Sequence, residues 1–267
     1  MIGINCLGRK GRFANQMFQY AAIKGIAAKR GLEWCIPPGP MLPEEFKDEY
    51  LQHKLFLAFE LSSLKTVKLL SAPHRQEAGH TFDPYLFEHC EDNVSLDGHF
   101  QSELYFRHIA DAIRLDFTWK ERVMAPVKEL FQRLVPQGRA ISLHVRRTDH
   151  LLRPNYRPVL PMHYYEEALA CCDSDLPVLV FSDDPQWCRQ QPLFASGRFI
   201  IPALADNIAD LCLMSLCPIH IIANSTFSWW GAWLSGSDHV VASGLWFGAH
   251  GHDARDLRVP RWRYLEV

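Results

Sequence analysis

The feature that most constrains this chain is the alternation of short apolar runs with helix-forming stretches across residues 140–242. Ala140-Ile141-Ser142-Leu143-His144-Val145 alternates as a strand, and Met162 to Cys172 (MHYYEEALACC) carries helix formers. Pro177 to Phe181 (PVLVF) is a β-branched apolar run of the kind buried on both faces of a parallel sheet. Strands at Arg198–Ile201, Ile219–Ala223 and, as the last, His239–Ala242 are interleaved with helices at Ile208–Leu216 and Phe227–Leu234. Alternation at this spacing predicts an α/β, doubly wound Rossmann-like unit.

The first half begins in the same way. Ile2 to Cys6 reads as a strand, a loop holds Gly8 and Gly11, and a helix is expected from about Asn15 to Lys29. Residues 37–93 open on PPGP and look mainly helical with long connections. Val94–Asp97 reads as a strand and Glu121–Leu134 as a helix that Pro126 kinks or starts. Val135-Pro136-Gln137-Gly138 punctuates the chain, so two α/β halves are expected, residues 1–137 and 138–267, with the last helix or tail free to return to the first.

Composition narrows the function class. The 28 Lys and Arg against 30 Asp and Glu give no general pull toward nucleic acid or anionic lipid, so any anion site is local. The longest apolar stretch, Leu211 to Ala223, is broken by Ser215, Pro218 and His220 and is too short to span a bilayer. The N-terminus has no apolar run of signal-peptide form. The eight cysteines form no CxxC pair, which fits reduced and mostly buried thiols and not a zinc site; Cys171-Cys172 reads as helical filler.

Four segments carry candidate chemistry. His144-Val145-Arg146-Arg147-Thr148-Asp149 lies where a strand ends, the edge at which open α/β sheets place ligands. Guanidinium groups there suit a diphosphate; a solvated loop neutralised by Asp149 fits the same residues equally well. A metal at His144, Asp149 and His150 is disfavoured by the intervening arginines. Asn224-Ser225-Thr226-Phe227 follows another strand and opens a helix, so its backbone N–H groups can receive an anion. Trp229, Trp230 and Trp233 behind it read as packing. Gly11-Arg12-Phe13-Ala14-Asn15-Gln16 can bring backbone close to a ligand, although by their residue types alone Asn15 and Gln16 read first as ordinary helix-capping residues. Asp183-Asp184 reads as an N-cap before Pro185. Gly98-His99-Phe100-Gln101-Ser102-Glu103 mixes polar and aromatic groups and is ambiguous by composition.

Together, GRFANQMFQYA at 11, GHFQSELYF at 98, HVRRTD at 144 and DLCLMSLCPIHIIANSTFSWWGAWL at 210 occur in the order and spacing of the α-1,2-fucosyltransferases, glycosyltransferase family 11, which the chain resembles over most of its length. The resemblance implies a GT-B-like fold of two Rossmann-like domains facing across a cleft. It implies inverting transfer of fucose from GDP-β-L-fucose to the 2-hydroxyl of a β-galactoside acceptor, with no metal or other cofactor. It places Arg146 at the β-phosphate, with Arg147 and Asp149 from the same motif and His144 beside the nucleoside. Asn15 approaches the sugar, with Arg12, Gln16, Gln101 and Glu103 in the accompanying motifs. Ser225, Thr226 and Phe227 match the turn that receives the diphosphate, and Asp210 the carboxylate that reads guanine. Asp149, His150 and Glu103 are candidates for a general base.

Ala14 departs from the glycine usual in bacterial members, which bears on acceptor choice. The shortness of the chain points to a cytoplasmic or membrane-peripheral enzyme. The alternatives are a fucosyltransferase with another acceptor or linkage, or a non-catalytic nucleotide- or glycan-binding relative.

Overall fold

The computed structural model describes residues 1–37, 54–61, 65–67, 69 and 72–267. Residues 38–53, which hold all but the first proline of PPGP, lie outside the described residues, and with them part of the helical expectation for 37–93. Two compact units form: Met1–Lys120 with Asp253–Val259, and Glu121–His252 with Pro260–Val267.

In the first unit β1 (Ile2–Gly3) leads to α1 (Phe13–Arg30), β2 (Trp34–Cys35), α2 (Leu55–Ala58), β3 (His74–Gln76), α3 (Pro84–His89), β4 (Ser95–Asp97) and α4 (Ala110–Asp116). The described strands form a parallel sheet of order β2-β1-β4-β3. Between 54 and 93 the described chain is thus only partly helical, with an edge strand that the exposed, polar His74-Arg75-Gln76 concealed. β1 is shorter than its apolar run because Asn5 leaves the ladder. Its side-chain amide donates to the Leu69 carbonyl at 2.9 Å and accepts from the Leu69 N–H at 3.1 Å.

Helix α1 is buried on most of its surface and ends at Gly31, whose left-handed φ of 65° lets its N–H reach back to the last turn. Gly25 sets how closely α1 approaches the chain at Tyr105: a Cβ there would lie 2.0 Å from the Tyr105 carbonyl oxygen. Since that neighbour is backbone and cannot rotate away, Gly25→Ala is expected to destabilise the protein by about 1–3 kcal/mol. A lowered midpoint in urea unfolding checks this.

The second unit runs α5 (Glu121–Leu134), β5 (Ile141–Val145), α6 (Thr148–Leu151), α7 (Met162–Ala170), β6 (Val178–Ser182), α8 (Pro185–Arg189), β7 (Phe199–Ile200), α9 (Asn207–Ser215), β8 (Ile219–Ile222), α10 (Thr226–Ser235), β9 (Val240–Ser243) and β10 (Arg263–Leu265). Pro126 lies inside α5 and does not end it. The helix belongs to this unit, packed on α9. The last strand is β10 and not β9: Arg263-Tyr264-Leu265 pairs in parallel with Val241-Ala242-Ser243 at the sheet edge, where three exposed or half-exposed residues are too short a run to stand out as a strand.

The sheet is parallel throughout, in the order β10-β9-β8-β5-β6-β7. From β5 the chain winds outward through β6 and β7, then crosses back to β8 and winds outward the other way. The topological switch therefore lies between β5 and β8, where doubly wound sheets open a crevice at their carboxyl ends. Trp229, Trp230 and Trp233 are buried, with Trp229 and Trp233 stacked at 6.4 Å, so these aromatics are core. All eight cysteines are free, Cys171 at the end of α7 being the exposed one. Among the described residues no helix is long and apolar enough to cross a membrane.

Candidate active site

The carboxyl ends of β5 and β8 bring together two motifs some eighty residues apart in sequence. His144, next to last in β5, has its Nδ1 2.9 Å from the Ser228 Oγ on α10 and its ring 5.6 Å from Phe227. Burial first, and the Arg146 guanidinium second, push the imidazole down to about 3. His144 is therefore neutral near pH 7 and contributes shape and a hydrogen bond, not charge.

Arg146 and Arg147 take different roles. Arg146 forks between two carboxylates, Nη2 to Asp149 Oδ1 at 2.6 Å and Nη1 to Asp183 Oδ2 at 3.2 Å. Arg147 turns away, its guanidinium 4.0 Å over the Trp187 ring and its Nε 3.3 Å from Asp184. Asp184 caps α8 by accepting from the Trp187 N–H, as its place before Pro185 predicts.

Asp183 does something that the cap reading missed. It accepts from the Arg147 N–H at 2.9 Å, the Thr148 N–H at 3.1 Å and the Thr148 hydroxyl, as well as from Arg146. Burial raises its carboxyl, but Arg146 and these donors outweigh burial and hold it below the usual carboxylate range. The signal was its place at the end of the strand beside β5, where β6 delivers it to the same edge.

At the end of β8, Asn224 is buried and donates to the Pro158 carbonyl at 2.9 Å and the Trp246 carbonyl at 3.2 Å. Ser225 caps α10 by accepting from the Phe227 N–H at 3.3 Å, and Thr226 opens the helix. That helix end carries partial positive charge at the switch point. Asp210 lies in the first turn of α9, which Asp206 caps. Burial, reinforced by Asp206, pushes the Asp210 carboxyl up to about 7. His150 is buried, with Nδ1 3.3 Å from the Pro158 carbonyl, and burial pushes it down to about 4. Among the described residues no cluster of three His, Cys, Asp or Glu side chains could hold a metal ion.

In the first unit the loops after β1 and β4, adjacent strands, converge in the same manner. Arg12 is the N-cap residue of α1, so Asn15 and Gln16 lie inside the first turn and are not caps. Asn15 Oδ1 accepts from Gln101 Nε2 at 2.9 Å, and Gln16 Oε1 accepts from the Lys54 N–H at 3.0 Å. Gly11, at φ 91°, is needed twice over, since a Cβ there would also lie 2.6 Å from Asn15 Cβ and Nδ2. Ala14 is a buried helical residue of α1 with no positive φ, so its backbone conformation does not call for glycine. Glu103 is buried in a 3-10 turn that Ser102 caps.

Residues 1–266 match the family model for glycosyl transferase family 11. Relatives include the O-antigen biosynthesis glycosyltransferase WbnK of Escherichia coli, 35% identical over 45% of this chain and 43% of that protein. The alpha-1,2-colitosyltransferase of Escherichia coli is 27% identical over 96% of this chain and 97% of its own. The galactoside alpha-(1,2)-fucosyltransferase 1 of Bos taurus is 27% identical over 86% and 66% respectively. The chain thus spans less than half of WbnK and just under two thirds of the cattle enzyme.

Among solved structures, NodZ alpha-1,6-fucosyltransferase soaked with GDP-fucose superposes with a TM-score of 0.58 at 16% identity, covering 91% of this chain and 94% of that one. POFUT1 in complex with GDP-fucose gives 0.55 at 12%, covering 88% and 94%. At such identities the likeness is one of fold, and the fold is GT-B-like. A family model matched to all but the final residue, on a sheet whose switch point gathers the HVRRTD and NSTFS motifs, leaves one conclusion: the chain is a glycosyltransferase and belongs to glycosyl transferase family 11.

Proposed function

We propose that the protein transfers L-fucose from GDP-β-L-fucose to the 2-hydroxyl of a terminal β-galactoside, with inversion and without a metal ion. The observation that carries this reading is the meeting of Arg146 and the Ser225-capped start of α10 on the two strand ends that flank the switch point. Breaking the bond from fucose C1 to the phosphate oxygen leaves the electron pair on GDP and positive charge on the sugar ring. The acceptor oxygen then attacks C1 from the opposite face, and its proton passes to a base, for which Asp149, His150 and Glu103 are the candidates, or to water. The leaving group needs fixed positive charge and oriented N–H dipoles, which a guanidinium fork and a helix N-terminus supply.

On this reading Arg146 meets the β-phosphate, while Arg147, stacked and paired, holds the turn in register. Ser225, Thr226 and Phe227 receive the diphosphate, and neutral His144 buttresses Phe227. Asn15 contacts the sugar, with Arg12, Gln16, Gln101 and Glu103 as the polar groups of its loops. The decisive experiment follows GDP release from GDP-fucose in EDTA, with lactose, N-acetyllactosamine or no acceptor, and NMR of any product. Acceptor-dependent release and an α-1,2 linkage support the reading; a different linkage, or GDP binding without release, sinks it.

A second donor is favoured by one observation, the near-complete coverage by the colitosyltransferase. Colitose is fucose lacking the 3-hydroxyl, so GDP-colitose competes in the same assay, and the ratio of kcat/KM between the donors decides.

Asp210 is assigned to guanine, whose N1–H and N2–H both donate to an ionised carboxylate. In the free protein this group is half protonated at about pH 7. GDP affinity is therefore expected to fall as pH drops below about 7, because binding must first remove that proton. Asp210→Ala should weaken GDP roughly ten- to a hundredfold and abolish this pH dependence, while leaving pyrophosphate affinity unchanged. Calorimetry with both ligands tests it, and equal losses for the two would remove Asp210 from guanine recognition.

A further inference from the structure

Glu77 is a buried carboxylate just past β3 that no motif singles out. It stands at the carboxyl edge of the first sheet and reaches under the loop that follows β4. Its Oε2 accepts from the His99 N–H at 3.0 Å and the Phe100 N–H at 2.9 Å, and its Oε1 from the Tyr105 hydroxyl at 3.0 Å. The Tyr105 oxygen in turn accepts from the Asp83 N–H at 2.8 Å.

These bonds hold an unusual loop. Phe100 has φ 52°, a left-handed conformation that costs a non-glycine residue free energy and persists only where its surroundings over-determine it. Gly98 leaves room for the carboxylate, since a Cβ there would lie 2.7 Å from Glu77 Cβ and Oε2. Gln19 Nε2 ties the loop to the one after β1 by donating to the Gly98 carbonyl at 2.9 Å and the Lys10 carbonyl at 3.1 Å. The next residue after Phe100 is Gln101, whose amide holds Asn15. Burial pushes the Glu77 carboxyl up to about 7 even though its three donors pull it down. Three donors converge on this carboxyl and offset part of the cost of burying it.

We infer that Glu77 is a positioning residue for sugar transfer: by clamping the His99 and Phe100 N–H groups it sets the strained turn that aims Gln101 at Asn15. The inference rests on the assignment of Asn15 to the sugar. A buried acceptor of two consecutive N–H groups fixes both peptide planes, and the plane before Gln101 determines where its side chain starts. Without the clamp Phe100 relaxes toward negative φ, and the amide pair with Asn15 loosens.

The test is a double-mutant cycle on acceptor-dependent GDP release. Glu77→Ala is expected to lower kcat roughly a hundredfold, the loss that a misplacement of about 1 Å at a reacting centre produces, with GDP affinity by calorimetry unchanged. In an Asn15→Ala background the same substitution should cost nothing further. Should Glu77→Ala not fold, as read by circular dichroism, Glu77→Gln serves. It offers the two N–H groups a neutral amide oxygen in place of a carboxylate, which weakens the clamp, and about a tenfold loss of kcat is expected, again absent in the Asn15→Ala background. Equal proportional losses in both backgrounds, or full turnover in a folded Glu77 variant, would overturn the inference while leaving the Asn15 assignment standing. Full turnover in Asn15→Ala alone would overturn both.

Discussion

Arg146→Ala is expected to cut fucosyl transfer a hundred- to a thousandfold while the protein stays folded. Losing one preorganised donor to a developing anion typically costs about 3–4 kcal/mol of transition-state stabilisation, and Arg146 is the guanidinium at the switch-point edge that is not stacked on an aromatic ring. The fold survives because Asp183 keeps three other donors and Asp149 is partly exposed. Arg146→Lys retains the charge but not the fork, so it should recover only part of the loss. Steady-state kinetics with the folded variants checks this, and near-normal kcat in Arg146→Ala would remove the residue from the mechanism.

The second large effect is expected at Asp183. Removing the carboxylate leaves the N–H groups of Arg147 and Thr148 without their acceptor and releases one arm of Arg146. A lost hydrogen bond to a charged group is worth about 1.5–3 kcal/mol, so Asp183→Ala should lower kcat/KM roughly a hundredfold and weaken GDP as well, because the whole turn loosens. Stability should also change with pH. The carboxyl is held below its ordinary value of 3.8 in the folded state. Its contribution is therefore fully present above that ordinary value and is lost as pH falls through the lowered one. Acid unfolding followed by circular dichroism should show a shallower decline for Asp183→Asn than for the parent protein, in which protonation removes the ion pair. Unchanged acid stability together with unchanged kinetics would demote Asp183 to a surface acid.

The strands and helices of the second unit were legible because burial on both faces writes a continuous apolar run, as in β5 and β6, and because the intervening helices carry their own formers and caps. The helix expected over Glu121–Leu134 has those bounds, and Pro126 lies within it and does not mark its start. Two edge strands, β3 and β10, were lost for the opposite reason, since they owe their conformation to a neighbour's hydrogen bonds and not to their own side chains. The same holds at the site. Arg146 was visible from its place at a strand end. The division of labour with Arg147 was not, because it depends on Trp187 and Asp184, some forty residues further on.

What the sequence alone determined was the α/β alternation, the parallel character of the buried strands and the family to which the motifs belong, all of which are local patterns in residue type. What only the tertiary structure decided was which charges neutralise one another. Asp183 looked like half of a helix cap and proved to be the acceptor that shapes the arginine turn. Glu77, unmarked in the chain, proved to hold the turn beside Asn15. The physical reason is common to both: a buried carboxylate is worth its desolvation only where donors converge on it, and here those donors come from segments that strand pairing brings together and sequence order keeps apart.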